Sequence, residues 1–306
     1  MQRHEQEYRY RVVDVFTENS LEGNALAVFL DASTMDATLM QRVARELNLA
    51  ETAFILPSTR SDCVARVRIF TPMREMTFAG HPTIGTGFVL LEEGLVAPTS
   101  TDFMLEEQIG AVPLRVETGT RPMLWLRTPS IETGPRYDPA LCARVLGLES
   151  ADLLDIAPQR LSAGNPTLFV PLRSKEAVDR AWLDHSGMKA LCSSDAPPMC
   201  VFVFAPTTTG AYSRMFAPEY GVVEDPATGS STGPLAQYMM RSGLASSAAG
   251  TRWVSEQGVK MGRRSLLHIH VRGQGGAEAI EIGGHVTPVA HAVLRLPIRP
   301  AGRTDG

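Results

Sequence analysis

Nowhere in its 306 residues does the chain approach the ~18 consecutive apolar residues that a membrane span requires. The opening Met1-Gln-Arg-His-Glu-Gln-Glu lacks the apolar stretch of a signal peptide. Both absences predict a cytoplasmic protein. A basic excess is missing too: 29 Lys and Arg stand against 33 Asp and Glu, a formal net charge of -4, so a phosphate-backbone partner is disfavoured. Cysteine is sparse. Cys63, Cys142, Cys192 and Cys200 are scattered with no CxxC pair, which argues against a disulfide framework or a zinc knuckle and for reduced, partly buried thiols. Neither Gly-x-Gly-x-x-Gly nor Gly-x4-Gly-Lys-Ser/Thr occurs, so dinucleotide and nucleoside triphosphate sites have no support. A Gly-x-Ser-x-Gly elbow for a serine nucleophile is absent as well. What remains is an ordinary globular composition, 44% hydrophobic and 20% charged, with length for about two domains.

The second half of the chain echoes the first. Arg68-Ile-Phe-Thr-Pro72 recurs as Arg214-Met-Phe-Ala-Pro218, and Gly23-Asn-Ala-Leu-Ala-Val-Phe29 as Gly164-Asn-Pro-Thr-Leu-Phe-Val170. Ala79-Gly-His-Pro-Thr-Ile-Gly85 then corresponds to Thr228-Gly-Ser-Ser-Thr-Gly233. Aligning Gly80-His81 with Gly229-Ser230 also aligns the endings Gly94-Leu95 and Gly243-Leu244 without a gap. Four echoes in one order indicate a duplicated unit.

Short β-rich runs at Tyr10–Phe16, Ala27–Leu30, Thr52–Leu56 and Val64–Phe70 predict strands, as do Met123–Arg127, Thr167–Pro171, Met199–Phe204, Leu266–Val271 and Ala279–Ile282 in the second half. Thr34–Leu47 carries Leu39, Met40, Val43, Ala44 and Leu47 at helical spacing and reads as a surface helix. Pro82–Glu93 is apolar nearly all round, as a helix buried within its own sheet would be, and Pro234–Met240 is its counterpart. The polar turn Glu117–Arg121 marks a boundary, His291–Pro297 reads as a last strand, and Arg299–Gly306 as a frayed tail. The expected division is a first half over 1–119, completed by a C-terminal strand at 287–299, and a second half over 120–286.

Both Gly-rich turns open a helix, and a helix start presents unpaired N–H groups with partial positive charge, which attract carboxylate or phosphate. Related by a pseudo-two-fold axis, Gly80-His81 and Gly229-Ser230 would meet across one cleft. Alternatively each glycine only permits a tight turn and close packing. Glu51 lies where a helix ends and a strand begins, His81 one residue past the first glycine, and Asp225 in extended backbone before Pro226. Together they would suit proton abstraction beside a carboxylate-bearing carbon. Taken singly, Glu51 could be solvated, His81 stacked on Pro82, and Asp225 a turn former. His268 and His270 share one face of a strand as metal ligands can, without a third ligand near them in sequence, and no metal is expected.

Leu21-Glu-Gly-Asn24, Asn48-Leu-Ala-Glu-Thr-Ala-Phe54, Arg68-Ile-Phe-Thr-Pro72, Phe78-Ala-Gly-His-Pro82 and Ser213-Arg-Met-Phe-Ala-Pro-Glu-Tyr-Gly-Val-Val-Glu-Asp-Pro-Ala-Thr-Gly-Ser230 together resemble the PhzF-like family of phenazine-biosynthesis isomerases, from about Tyr10 to Leu296. The resemblance implies an α+β fold of two pseudo-symmetric domains, each a curved mixed β-sheet or barrel wrapped around a central helix, as in diaminopimelate epimerase. It also implies a homodimer, and isomerisation of trans-2,3-dihydro-3-hydroxyanthranilate or another small carboxylated amino or hydroxy acid without a cofactor. Glu51 matches the family's acid/base glutamate, His81 and Asp225 match residues that orient the substrate, and Gly80, Gly229 and Ser230 match the turns lining the cleft. The epimerases carry two cysteines at the helix ends; here those places hold His81 and Ser230, which disfavours a two-thiol mechanism. A small-molecule binding or sensor protein that keeps the cleft without the chemistry, and an isomerase or epimerase of a different small acid, are the alternatives.

Overall fold

The computed structural model describes residues 5–183, 185–191, 199–273 and 280–297. Cys192, Ala279 and the expected frayed tail lie outside the described residues. Among the described residues the chain is a mixed α+β fold of eighteen strands and six α-helices. No described helix is long and apolar enough to cross a membrane.

Each part of the duplicated sequence builds the same strand neighbourhood. Asn24–Phe29 pairs parallel with Glu51–Leu56, which pairs antiparallel with Ala65–Phe70, itself parallel to Asp102–Glu107. The second half repeats this: Pro166–Pro171 pairs parallel with Cys200–Thr207, which pairs antiparallel with Gly210–Ala217, itself parallel to Arg252–Gln257. The two series join where Met123–Arg127 and Ile280–Gly284 run antiparallel side by side. The last strand, Val286–Pro297, turns back along Glu5–Val15, and Glu132–Arg136 pairs with Gln159–Ser162 on the other side. These two strands each have a single partner among the described residues, so the sheet stays open and does not close into the barrel allowed for in the sequence reading.

Gly80–Glu92 and Gly229–Arg241 occupy the concave side of the two series. Every residue from Gly80 to Leu90 is buried, and hence the sequence shows no polar face there. A methyl added at Gly85 would run into Leu26 and Val15, and one at Gly87 into Leu114 and Leu124, so strands on both sides grip the same helix. Helix Ala37–Leu47 covers the outer face. Its Asp36 cap accepts from the Leu39 N–H at 2.7 Å, Asn48 ends it in the left-handed region, and Met40, Val43 and Ala44 pack with Phe29, Phe54 and Phe70. Pro139–Val145, Lys175–Arg180 and His185–Leu191 cover the outer face of the second half over Leu168, Val170, Val201 and Val203.

The sequence reading locates ten of the strands and both central helices, with bounds off by up to about five residues, but omits Glu75–Met76, Asp102–Glu107, Gly110–Glu117, Glu132–Arg136, Gln159–Ser162, Gly210–Ala217, Val222–Asp225 and Arg252–Gln257 as strands and Pro139–Val145, Lys175–Arg180 and His185–Leu191 as helices. In Asp102–Glu107 the apolar Phe103 and Leu105 alternate with Asp102, Met104 and Glu106, and Gly110–Glu117 contains Pro113, so neither stands out as an apolar run.

Candidate active site

The starts of the two central helices abut. A Cβ placed on Gly80 would lie 3.1 Å from the Cα of Gly229 and from the backbone N of Ser230. Neither glycine has a positive φ, so glycine is required here by the approach of two backbones and not by a left-handed turn. The caps Ala79 and Thr228 give their helices no side-chain hydrogen bond, which leaves the first-turn N–H groups of both directed at one place without a side-chain partner. A cleft of about 700 Å³, counting its solvent-filled mouth, opens there.

All six residues singled out in the sequence line this cleft: Glu51, Gly80, His81, Asp225, Gly229 and Ser230. Glu51 begins the strand Glu51–Leu56, His81 sits in the first turn of its helix, and Asp225 ends the strand Val222–Asp225. The Oε2 of Glu51 lies 3.4 Å from Nε2 of His81. That nitrogen is buried and makes no hydrogen bond, so the pair is in contact without being aligned. Burial presses the His81 imidazole down to about 3, which keeps it neutral.

Asp225 raises the demand of Glu51 for a proton. Burial foremost, and then the charge of Asp225, lifts Glu51 well above the ordinary carboxylate range; burial lifts Asp225 as well. Their surroundings differ. Asp225 accepts from Asn24 Nδ2 at 2.8 Å and from Thr228 Oγ1 at 2.5 Å, bonds that favour its charged form, while Glu51 has only the imidazole contact. Of the two carboxyls Glu51 therefore holds a proton the more firmly, and the charged form is favoured at Asp225.

Three supporting residues escaped the sequence reading. Asn24, quoted only within a motif, bridges the halves by donating to Asp225 and to the Ala227 carbonyl at 3.0 Å. Gln257 is fully buried and clamps the 225–228 turn, donating to the Asp225 carbonyl at 2.7 Å and to Thr228 Oγ1 at 3.0 Å. Asn165 donates to Ser230 Oγ at 3.2 Å. The repeated Gly-Asn pair was the available signal for Asn24 and Asn165; nothing local marks Gln257.

The strand register shows how the duplicated halves divide the site. Asn24 corresponds to Asn165 and His81 to Ser230. Leu26 faces Glu51, and its equivalent Thr167 faces Cys200, so Cys200 occupies the place of Glu51. Ile69 faces Met76, and its equivalent Met215 faces Asp225, so Met76 occupies the place of Asp225. Cys200 and Met76 both line the cleft. The Cys200 thiol is buried, and burial with the nearby Asp225 and Glu219 pushes it up to about 12, so it supplies no thiolate near neutrality.

His268 and His270 do not join the site. His268 lies against the ring of His285 with centroids 6.1 Å apart, and His270 against Trp125 at 5.7 Å and Glu281. No group of three His, Cys, Asp or Glu among the described residues is arranged to hold a metal ion.

Comparison with known proteins agrees with this architecture. The family described as phenazine biosynthesis-like protein matches residues 13–292. The chain belongs to that family. A trans-2,3-dihydro-3-hydroxyanthranilate isomerase of Pseudomonas aeruginosa is 38% identical over 284 residues, covering 91% of this chain and 96% of its own. Among solved structures, a PhzF-family phenazine biosynthesis protein of Bacillus anthracis superposes with a TM-score of 0.85 at 24% identity, covering 94% of this chain and 99% of that one. A predicted epimerase of Pseudomonas aeruginosa gives 0.79 at 34% identity with the same coverage. Within the PhzF family, the protein is an isomerase.

Proposed function

We propose that this isomerase moves a proton within a small cyclic or unsaturated amino or hydroxy acid bearing a carboxylate, with Glu51 taking and returning the proton. The observation that carries the reading is the 3.4 Å contact of Glu51 with a neutral, buried His81 beside the paired helix starts. A carboxyl whose proton affinity is raised toward neutrality is present in both forms, as a group that accepts and then donates one proton must be. The uncapped N–H groups of Gly80, His81, Gly229 and Ser230 hold the substrate carboxylate. His81 and Asp225 orient its amino and hydroxyl groups, and the apolar Met76, Ala79, Met215 and Ala217 receive the carbon skeleton. The shift involves no net oxidation and asks for no cofactor.

The substrate to test first is the compound named for the 38%-identical relative, trans-2,3-dihydro-3-hydroxyanthranilate. In it, the proton leaves the carbon bearing the hydroxyl and returns elsewhere on the ring. The nearly isosteric Glu51→Gln is expected to lower kcat by about a thousandfold while the substrate Kd, read by calorimetry, stays within about threefold. Equal turnover in the two proteins would remove Glu51 from the role. Saturable binding with no conversion by the wild type would leave a binding protein.

The proposal extends to organisation. The chain divides into 1–119 with 287–299, and 120–286; the return of Val286–Pro297 to Glu5–Val15 supports this division. The protein acts as a homodimer in the cytoplasm, where the free thiols of Cys63, Cys142 and Cys200 stay reduced. A light-scattering mass near twice 33.2 kDa is expected at micromolar concentration, and one near 33.2 kDa would overturn the dimer.

A further inference from the structure

One buried carboxyl takes no part in the proposed chemistry. Glu107, at the end of Asp102–Glu107, is 4% exposed and points its Oε1 to within 2.6 Å of Thr83 Oγ1 in the first turn of the helix Gly80–Glu92. Thr83 Oγ1 also lies 2.7 Å from the carbonyl of Ala79, the cap of that helix and a wall of the cleft. The hydroxyl has one hydrogen and two acceptors at bonding distance, so both contacts are satisfied only when the carboxyl itself supplies a hydrogen. In the other half Thr232 Oγ1 donates to the Thr228 carbonyl at 2.9 Å, matching Thr83 and Ala79. Arg66 faces Glu106 and Tyr212 faces Glu256, which puts Glu107 at the place of Gln257. Gln257 is a neutral donor that holds the start of the second central helix.

We propose that Glu107 is a positioning residue of the site, a protonated carboxyl that sets the Ala79–Thr83 turn as a hydrogen-bond donor in the way Gln257 sets the 225–228 turn. A neutral side chain at this point also leaves the field of the helix start available to an anion in the cleft, where an ionised carboxylate behind the same turn would oppose it. This consequence rests on the reading of the paired helix starts as the holder of the substrate carboxylate.

The surroundings agree with the protonated form. Burial pushes Glu107 up to about 8. The titratable groups on the elements packed around it are His81 and Glu92 on the helix, Arg66 and Arg68 on Ala65–Phe70, Arg115 and Glu117 on Gly110–Glu117, and Asp102 and Glu106 on its own strand. Arg68 is engaged by Glu75, Arg115 by Glu281 and Glu117, and Glu106 by Ser58 and Thr59, while His81 is neutral.

The test compares the wild type with Glu107→Gln and Glu107→Leu in two arms. The first is thermal unfolding without ligand. A carboxyl that binds its proton more tightly when folded stabilises the native state fully below the ordinary value of 4.5 and loses that contribution as pH rises to about 8. The Tm of the wild type relative to Glu107→Gln is therefore expected to fall between about pH 5 and 8 and to level off above, and a difference that is constant over that range would overturn the proposal. The second arm is kcat and KM for trans-2,3-dihydro-3-hydroxyanthranilate. Glu107→Gln is expected to stay within about threefold of the wild type near pH 7 and to keep its low KM to higher pH, whereas Glu107→Leu raises KM by about tenfold. A Gln variant as impaired as the Leu variant would overturn the positioning role. A wild type that does not convert this compound removes the proposed substrate alone, and the ligand-free arm then decides on Glu107.

Discussion

The two halves of this protein share a scaffold down to single side chains and differ where they face the cleft. Each places an arginine over a phenylalanine and pairs it in two-pronged fashion with a glutamate: Arg68 with Glu75 over Phe70, and Arg214 with Glu224 over Phe216. Each sets an asparagine near the start of its own central helix, Asn24 beside His81 and Asn165 beside Ser230. Yet at the place where the first half presents Glu51 the second presents Cys200, and where the second presents Asp225 the first presents Met76. Duplication supplies the paired helix starts. The departure from symmetry gathers both carboxyls and the imidazole on the cleft and leaves a thiol, a thioether and a hydroxyl at the matching positions, so the two halves offer the cleft different chemical groups.

The widest contrast expected between the halves is chemical. Against the roughly thousandfold loss in kcat for Glu51→Gln, Cys200→Ala should stay within about threefold, since a thiol held protonated contributes no base. Comparable losses in the two variants would restore a two-sided mechanism. The next contrast is one of stability. Arg214 is 6% exposed and donates to the carbonyls of Val178, Asp179 and Ala181 as well as to Glu224, whereas Arg68 is 21% exposed. In urea unfolding Arg214→Ala is expected to cost about 3–5 kcal/mol by leaving the largely enclosed Glu224, 11% exposed, unpaired, and Arg68→Ala about 1 kcal/mol. Equal costs would mean that the arginines are as interchangeable as their sequence contexts. The smallest effect is a displacement in pH. Asp225 disfavours the charged form of Glu51, so Asp225→Asn lowers the Glu51 pKa and populates its base form at lower pH. The acid limb of kcat/KM against pH should move down by about one unit, and a limb that stays or moves up would dissociate the two carboxyls.

The symmetric part of this architecture was legible in the sequence because it rests on backbone demands. A Cβ on Gly80 would sit 3.1 Å from the backbone of Gly229 and Ser230, tight enough to favour glycine at the two matching places. The all-round apolar stretch after Gly80 betrays a helix enclosed by its own sheet. Glu51, His81 and Asp225 stood out through position and family likeness. Their asymmetry was hidden, because Cys200 and Met76 correspond to Glu51 and Asp225 through strand register, which no residue identity announces. Glu107 and Gln257 stayed invisible for a similar reason. Each is a polar residue at the end of a strand whose alternation was not recognised, and its place on the buried face beside Phe103 and Leu105, or Trp253 and Ser255, became visible only with the strand itself.

Proton NMR of trans-2,3-dihydro-3-hydroxyanthranilate in D2O, with the wild type, Glu51→Gln and Cys200→Ala run side by side, bears most directly on Glu51 as the single acid/base of the cleft. The account predicts conversion by the wild type and by Cys200→Ala, with none by Glu51→Gln. Conversion by Glu51→Gln at the wild-type rate would contradict it.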